Sequence, residues 1–195
     1  MSHLRLVAVG ASWGGLRAVE TVLGALPPGF AAPVVIAQHR KSGSDGVLVA
    51  LLDARCALPV REAEDKQTLD PGVVLVAPAD YHLLVETGAV ALSVDEPLNY
   101  SRPSIDILFA SAADAYGDAL AGVVLTGANS DGALGLAHIA ARGGTTIVQD
   151  PDTAERREMP AAALWATPKA RVLSLEEIAP VLTALVGTHD EEPAS

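Results

Sequence analysis

Three side chains with suitable chemistry for acyl transfer are spread along the sequence. Ser12 lies in the segment GASWGG, His39 in VVIAQHR and Asp131 in GANSDG. A serine hydroxyl becomes a strong nucleophile when a histidine removes its proton, and a carboxylate then holds the histidine in the required tautomer. Taken singly, each residue has an ordinary explanation, since serines occur in tight turns, histidines in loops and aspartates at helix N-caps. The hypothesis of a serine hydrolase therefore depends on whether the fold brings the three together.

The segment GASWGG, residues 10–15, admits three interpretations. As a dinucleotide-binding fingerprint GxGxxG it has Ser12 in place of the middle glycine, and the second predicted strand ends in Gln-His-Arg without an acidic residue for a ribose. As a nucleophile elbow GxSxG it matches completely, and the turn would expose the Ser12 hydroxyl. Only one strand precedes it, however, unlike in the α/β-hydrolases. Small residues would also suit close packing of a helix on a strand, so the segment alone does not decide.

The elements that must position these residues follow an α/β rhythm. Apolar runs of strand length alternate with segments of helical periodicity, which predicts parallel strands joined by right-handed crossovers. We therefore predict an α/β fold, with a doubly wound, mostly parallel sheet in a three-layer αβα arrangement. Ser12, His39 and Asp131 each follow the end of a predicted strand, and functional groups of such sheets gather at the carboxyl ends of the strands. The strands concerned are predicted at 4–9, 33–37 and 122–126.

The middle of the chain departs from this rhythm. Three short β runs, at residues 73–77, 82–86 and 89–94, are separated by Pro-Ala-Asp and by Thr-Gly, which are typical turn sequences. They predict an antiparallel β meander inserted into the parallel fold. Ser104 is then expected to cap a helix that runs to about Tyr116, because a serine hydroxyl accepts a hydrogen bond from the first turn of a helix.

Length and composition limit the classes of protein. The chain has 195 residues and a formal net charge of −11, which fits one domain, predicted at 1–187, and disfavours nucleic acid or an anionic membrane surface as partner. Residues 188–195 are acidic and predict a disordered tail. No apolar stretch is long enough for a signal peptide or a membrane span, so the cytoplasm is the predicted compartment. The single cysteine, Cys56, excludes an internal disulfide and predicts a buried structural thiol.

Several ordered motifs make the sequence similar to a known family. Besides GASxGG and the Gln38-His39 pair, the chain contains VAPADYH, RPSID, LTGxxxDG and VQDPxTAxxxxMPxAA, in that order. From about residue 6 to about residue 185 it resembles the catalytic domain of the chemotaxis protein-glutamate methylesterases of the CheB type. The ordered set of motifs is far more specific than GxSxG alone.

The resemblance implies hydrolysis of γ-glutamyl methyl esters on chemoreceptors and deamidation of certain receptor glutamines. By motif, Ser12 would be the nucleophile, His39 the base and acid, and Asp131 the orienting carboxylate, with no metal or organic cofactor. A methylated chemoreceptor would be the partner. Many members carry a phosphoacceptor domain ahead of the catalytic domain, whereas here the first predicted strand begins within a few residues of Met1. A stand-alone esterase, or one whose regulator is a separate chain, is therefore expected.

Two other functions stay open on the sequence alone. The domain could be a binding module of a signalling complex without turnover, or a serine esterase acting on another ester. Departures from the family pattern motivate both, because Ala128-Asn129 replaces Met-Gly, and Trp13 stands where a small or hydroxylated residue is frequent. The backbone N–H groups of Trp13 and Ala128 are candidate oxyanion donors. We expect the Trp13 indole to form a wall of the cleft rather than to pack beneath the helix.

The remaining candidate substrate-binding residues have competing structural explanations. His82 in VAPADYH matches a family motif, but a structural histidine is the favoured interpretation. Arg102 in RPSID could line the cleft, although its place at a helix start also explains it. Arg40 and Lys41 stand where the family usually has Met-Pro, and we expect them to be solvated like most charged side chains.

Overall fold

Strands and helices alternate through most of the described chain. The protein is represented by a computed structural model, which describes residues 4–40 and 46–186. The strands are β1 Leu6–Ala11, β2 Val34–Gln38, β3 Val60–Glu62, β4 Val74–Val76, β5 His82–Glu86, β6 Ala89–Ser93, β7 Leu120–Val124, β8 Thr145–Gln149 and β9 Arg171–Leu173. The α-helices are α1 Gly15–Gly24, α2 Val47–Asp53, α3 Ile105–Tyr116, α4 Ala133–Ala141, α5 Glu158–Ala166 and α6 Leu175–Val186.

Seven of these strands form one parallel sheet. Its order is β3-β4-β2-β1-β7-β8-β9, so β1 lies at the centre, between β2 and β7. Every residue of these three central strands is buried, because helices cover both faces of the sheet. Helices α1, α2 and α6 pack on one face, and α3, α4 and α5 pack on the other. The predicted doubly wound, three-layer α/β fold is confirmed.

The inserted antiparallel segment is smaller than predicted. The run at 73–77 contains β4, which pairs in parallel with β2 and β3 inside the main sheet. Among the described strands, only β5 and β6 pair antiparallel, and the apolar side chains of this hairpin share a core with α3. The predicted three-strand meander is therefore wrong in its first strand. A short apolar run carries no periodicity that distinguishes a buried parallel strand from a strand of a meander.

The first turn of α3 lies against the central strand. Ser104 caps the helix, as predicted, and its hydroxyl accepts a hydrogen bond from the Ile107 N–H at 3.4 Å. Gly10 in β1 permits this close approach, because a Cβ at that position would overlap the side chain of Ile105. The N-terminus of α3, whose first backbone N–H groups have no acceptor within the helix, therefore lies close to the carboxyl end of β1.

Three smaller expectations concern Cys56, membrane insertion and the C-terminal residues. Cys56 is only half-buried, whereas a buried thiol was predicted. Partial burial has the largest effect on its thiol, and together with the negative charges of Glu20 and Asp53 it raises the pKa to about 11. Within residues 4–40 and 46–186, no helix is both long and apolar enough to cross a membrane. Residues 188–195 lie outside the described residues, so the disordered tail stays a prediction.

Candidate active site

Backbone hydrogen bonds hold Ser12 and His39 side by side at the carboxyl ends of neighbouring strands. Ser12 directly follows β1, and its N–H donates to the carbonyl oxygen of Thr126 at 3.0 Å. His39 directly follows β2, and its N–H donates to the carbonyl oxygen of Ala11 at 3.0 Å. Parallel pairing thus places the two side chains at one edge of the sheet, as the strand pattern predicted.

The structure connects the serine, histidine and aspartate in one hydrogen-bonded chain. The distance from Ser12 Oγ to His39 Nδ1 is 3.2 Å, and the distance from His39 Nε2 to Asp131 Oδ2 is 2.7 Å. An ionised carboxylate only accepts hydrogen bonds, so we infer that Nε2 carries the proton of the neutral imidazole. Nδ1 is then the acceptor that faces the Ser12 hydroxyl. This is the tautomer required of a general base for Ser12.

Asp131 is held by the first turn of α3. The residue is 1% exposed. Its Oδ1 accepts from the Ser104 hydroxyl and the Asp106 N–H, both at 3.0 Å, and its Oδ2 accepts from the Ile105 N–H at 2.8 Å. Burial alone would raise the pKa of Asp131, but the hydrogen bonds from His39 and from the helix outweigh burial and lower the pKa below its ordinary value. A charged carboxylate therefore faces the histidine.

A glycine and a glutamine side chain fix the conformation of the turn that carries Ser12. Gly14 has φ of +76°, a backbone conformation that favours glycine. The Gly15 N–H and the Gln38 Nε2 both donate to the carbonyl oxygen of Ser12, at 2.9 and 2.8 Å. Gln38 Nε2 also donates to the carbonyl oxygen of His39 at 3.0 Å, so one amide joins the serine and histidine segments. The sequence motif includes Gln38 but does not predict this role, which depends on the contacts in the folded structure.

Ser12 and His39 open into a cleft of about 550 Å³. Its lining includes Ser12, His39, Trp13 and Ala128. Among the hydrogen bonds between described residues, none uses the backbone N–H of Trp13 or of Ala128. A Cβ added to the neighbouring Gly127 would lie 2.9 Å from Ser12 Cβ, which shows how closely this loop approaches the serine. Both N–H groups are therefore still candidates for binding a developing oxyanion.

The indole of Trp13 lies at the cleft rather than beneath the helix. Trp13 is 59% exposed, and its Nε1–H donates to Glu155 Oε1 at 3.0 Å. The guanidinium of Arg156 lies over the indole, 5.3 Å from the ring centre. The ring is therefore held from two sides while one face stays open to solvent. Sequence reasoning missed Glu155 and Arg156, because nothing in their spacing connects them with Trp13.

Asn129 is another residue whose contacts the sequence did not predict. Its Oδ1 accepts from the Asp131 N–H at 3.2 Å, and its Nδ2 lies 3.4 Å from His39 Nδ1. The backbone N–H of Asp131 can only donate, which orients the Asn129 amide with its NH₂ towards the histidine. Asn129 and Ser12 thus approach the same ring nitrogen. The sequence marks Asn129 only as a departure from the family pattern.

His82 does not belong to the cleft. The residue is completely buried, its Nδ1 accepts from the Ser104 N–H at 3.1 Å, and its Nε2 lies 3.2 Å from the carbonyl oxygen of Glu96. The candidate role of His82 in substrate binding is therefore not supported. The imidazole instead joins the hairpin to the start of α3, which is the structural role that the sequence analysis favoured.

Arg40 and Arg102 both line the cleft. The Arg40 side chain is only 7% exposed, and its Nη2 donates to the carbonyl oxygen of Ala77 at 2.8 Å, so the prediction of a solvated side chain is wrong. The Arg40 side chain reaches the carboxyl end of β4, where the carbonyl oxygen of Ala77 accepts this hydrogen bond. Lys41 lies outside the described residues. Arg102 Nη1 donates to the carbonyl oxygens of Val94 and Asp95.

Together, the fold and the site define a parallel α/β domain with a serine-hydrolase constellation at the carboxyl ends of its strands. The model of the CheB methylesterase family matches residues 7–182. The chain therefore belongs to the CheB methylesterase family.

Relatives and a solved structure agree with this membership. A protein of Leptospira interrogans (strain Fiocruz L1-130), to which methylesterase and glutaminase activities are assigned provisionally, is 47% identical over 92% of this chain and 93% of its own length. The protein-glutamate methylesterase/protein-glutamine glutaminase of Moorella thermoacetica is 42% identical over 94% of this chain and 44% of its own length. The crystal structure of the Thermotoga maritima CheB methylesterase catalytic domain matches with a TM-score of 0.89 and 33% identity, over 95% of this chain and 100% of that one.

Proposed function

We propose that this protein hydrolyses methyl esters of glutamate side chains on a chemoreceptor, and that it also converts receptor glutamines to glutamates. The observation that carries the proposal is the continuous contact from Ser12 Oγ through His39 to the charged Asp131, within a domain of the methylesterase family. The names of the relatives supply the two activities. A chemoreceptor substrate and the cytoplasm as the compartment are part of the proposal.

The first half of the reaction forms an acyl-enzyme. Ser12 Oγ attacks the ester carbonyl carbon while His39 Nδ1, 3.2 Å away, takes the hydroxyl proton. The charged Asp131 stabilises the imidazolium that forms. The tetrahedral intermediate then collapses, the bond from carbon to the methoxy oxygen breaks, and the imidazolium protonates that oxygen so that methanol leaves. For a glutamine side chain, the leaving group is ammonia.

The second half of the reaction releases the product. Water attacks the glutamyl ester of Ser12, and His39 removes a proton from the water. Collapse of the second intermediate returns that proton to Ser12 Oγ and leaves the glutamate carboxylate. We assign the backbone N–H groups of Trp13 and Ala128 to the oxyanion in both halves, because both residues line the cleft beside Ser12 and these N–H groups have no acceptor among the described residues.

Substitution of the nucleophile tests the proposal directly. Ser12→Ala should lower kcat/KM for methanol release from a methylated receptor by about three orders of magnitude or more, because no acyl-enzyme forms. Ser130→Ala is the matched control, since Ser130 is exposed in the neighbouring loop and should retain wild-type rates. A serine-directed fluorophosphonate should label wild type and Ser130→Ala, and should leave Ser12→Ala unlabelled. Undiminished turnover by Ser12→Ala would contradict the assignment.

The same assay separates the two alternative functions. A binding module would hold the receptor without releasing methanol, and Ser12→Ala would change nothing. An esterase for another substrate would be labelled at Ser12 and would hydrolyse members of a panel of small esters while leaving methylated receptors intact. The changed loop at Ala128 and Asn129 motivates these alternatives, and the closed hydrogen-bond chain from Ser12 to Asp131 favours the enzyme.

A further inference from the structure

Two arginines bring positive charge into the cleft of an otherwise acidic protein. The formal net charge of the chain is −11, yet Arg40 and Arg102 line the same cleft as Ser12 and His39. A neutral methyl ester does not require either cation for binding or for the reaction. Asp80 also lines the cleft, so the cleft carries both signs of charge.

Both guanidinium groups keep buried donors without a partner. Arg40 Nε, Arg40 Nη1 and Arg102 Nε have no hydrogen-bond acceptor, and none of these atoms is reached by solvent. The Arg40 side chain is more than nine-tenths buried, and its ion-pair partner Glu62 approaches only Nη2, at 3.4 Å. Buried N–H groups without acceptors are rare and unfavourable, most of all on a charged group. The free protein therefore lacks a partner that these donors would bind strongly.

The chemistry of that partner follows from the shape of guanidinium. Its planar set of N–H donors matches the two oxygens of a carboxylate, and such charge-assisted pairs are among the strongest hydrogen bonds in proteins. Water exclusion around Arg40 strengthens the attraction further. A carboxylate in the cleft would take up the unpaired donors once the Arg40 side chain turns towards it, and Arg102 would add a second positive charge on the same wall.

We propose that Arg40 and Arg102 form a carboxylate subsite, which binds an acidic side chain of the substrate next to the glutamyl ester at Ser12. The inference rests on the proposed function, and it goes further by naming the sequence context that the enzyme prefers. The reaction also leaves a glutamate carboxylate in the cleft, so the product is a second source of the same chemistry. In both cases the ligand is a carboxylate that the two arginines hold.

Two peptides distinguish three cases: a subsite for an acidic side chain of the substrate, a subsite for the product carboxylate, and no carboxylate subsite. Both carry one glutamyl methyl ester, flanked by aspartates in the acidic peptide and by asparagines in the neutral peptide. Arg40→Met should lower kcat/KM for the acidic peptide by about tenfold to a hundredfold more than kcat/KM for the neutral peptide. Arg171→Met is the matched control, because Arg171 is exposed on β9, at the edge of the sheet away from β3. Arg171→Met should change kcat/KM for neither peptide.

Product binding gives a different result. If the subsite holds the product carboxylate, Arg40→Met should weaken inhibition by the demethylated neutral peptide by about tenfold, with the two ester peptides affected equally. Either pattern supports the carboxylate subsite. If Arg40→Met alters neither flank preference nor product inhibition, the proposal is wrong.

Two further measurements keep the test independent of folding and of turnover. Arg40→Lys retains the charge but loses the planar fork, so it should fall between wild type and Arg40→Met in flank preference. Calorimetric binding of the acidic peptide with methionine, which the enzyme cannot hydrolyse, in place of the ester should be weaker for both variants than for wild type. This comparison judges the subsite even if wild type hydrolyses neither ester peptide, a result that would reject the proposed function alone. Equal binding by all three proteins would contradict the subsite.

Discussion

The first turns of α3 and α4 each bind a buried carboxylate that comes from the other helix or its leading loop. Asp131 precedes α4 and accepts hydrogen bonds from the start of α3. Asp106 lies in the first turn of α3, and its Oδ1 accepts from the Gly135 N–H in the first turn of α4 at 2.7 Å. The two helices are thus joined by a reciprocal exchange of acidic side chains, each placed where the helix dipole favours negative charge.

The two carboxyl groups nevertheless have opposite pKa shifts. Burial raises the pKa of Asp106 and, together with the charge of the nearby Asp131, outweighs the backbone hydrogen bonds from Gly135 and Gly132, which lower it. For Asp131, the hydrogen bonds from His39, Ile105 and Asp106 overcome burial and lower the pKa. The pKa values of two buried carboxyl groups therefore shift in opposite directions, because the number and strength of their hydrogen-bond donors differ. The carboxylate that faces the histidine is the one whose charged form the surrounding donors favour.

Replacing each carboxylate by its amide should separate the two roles most clearly. Asp131→Asn should lower kcat/KM by about three to four orders of magnitude, because an amide NH₂ facing Nε2 favours the wrong histidine tautomer and no longer stabilises the imidazolium. Asp106→Asn should stay within about fivefold of wild type, since the amide oxygen still accepts from the Gly135 N–H.

Steady-state methanol release from a methylated receptor measures both variants, with circular dichroism as the check of folding. Comparable losses for Asp106→Asn and Asp131→Asn would show that the pair acts as one unit. In that case the division between a catalytic-site carboxylate and a structural one would be lost.

The sequence predicted the position of Asp131 but not this exchange. Parallel strands end at one edge of the sheet, so Ser12, His39 and Asp131 were predictable from the strands that precede them. The hydrogen bonds between α3 and α4 depend on how two helices pack, which strand and helix periodicity does not specify. The same reason explains why the burial of Arg40 and the approach of Asn129 to His39 were missed. Both depend on the course of a loop.

Substitution of Ser104 should lower activity less than Asp131→Asn does, because it removes only one of the hydrogen bonds to Asp131. Ser104→Ala removes one donor from Asp131 Oδ1 and the cap of α3. We expect a several-fold fall in kcat/KM and a loss of about 1 kcal/mol in the free energy of unfolding. Ser111→Ala is the matched control on the same helix, because the Ser111 hydroxyl accepts from the Val85 N–H, in the hairpin. It should lose stability without losing activity. Equal activities of the two variants would show that Asp131 does not need the Ser104 hydroxyl.

The smallest expected effect is a difference in how stability depends on pH. The folded-state pKa of Asp131 is lowered, so its stabilisation is present above its ordinary pKa of about 3.9 and is lost as the pH falls through the folded-state pKa. The folded-state pKa of Asp106 is raised, so stability is lost as the pH rises from about 3.9 through the folded-state pKa. Asp106→Asn should therefore gain stability relative to wild type between pH 4 and pH 7, because the amide has no proton to lose.

Urea unfolding at several pH values tests both signs at once. The deficit of Asp131→Asn relative to wild type should shrink as the pH falls below about 4, since the wild type then loses the charge that the variant never had. The stability that Asp106→Asn gains relative to wild type should instead grow as the pH rises. Parallel stability curves for wild type and Asp106→Asn would mean that Asp106 keeps the same proton affinity in the folded and unfolded states.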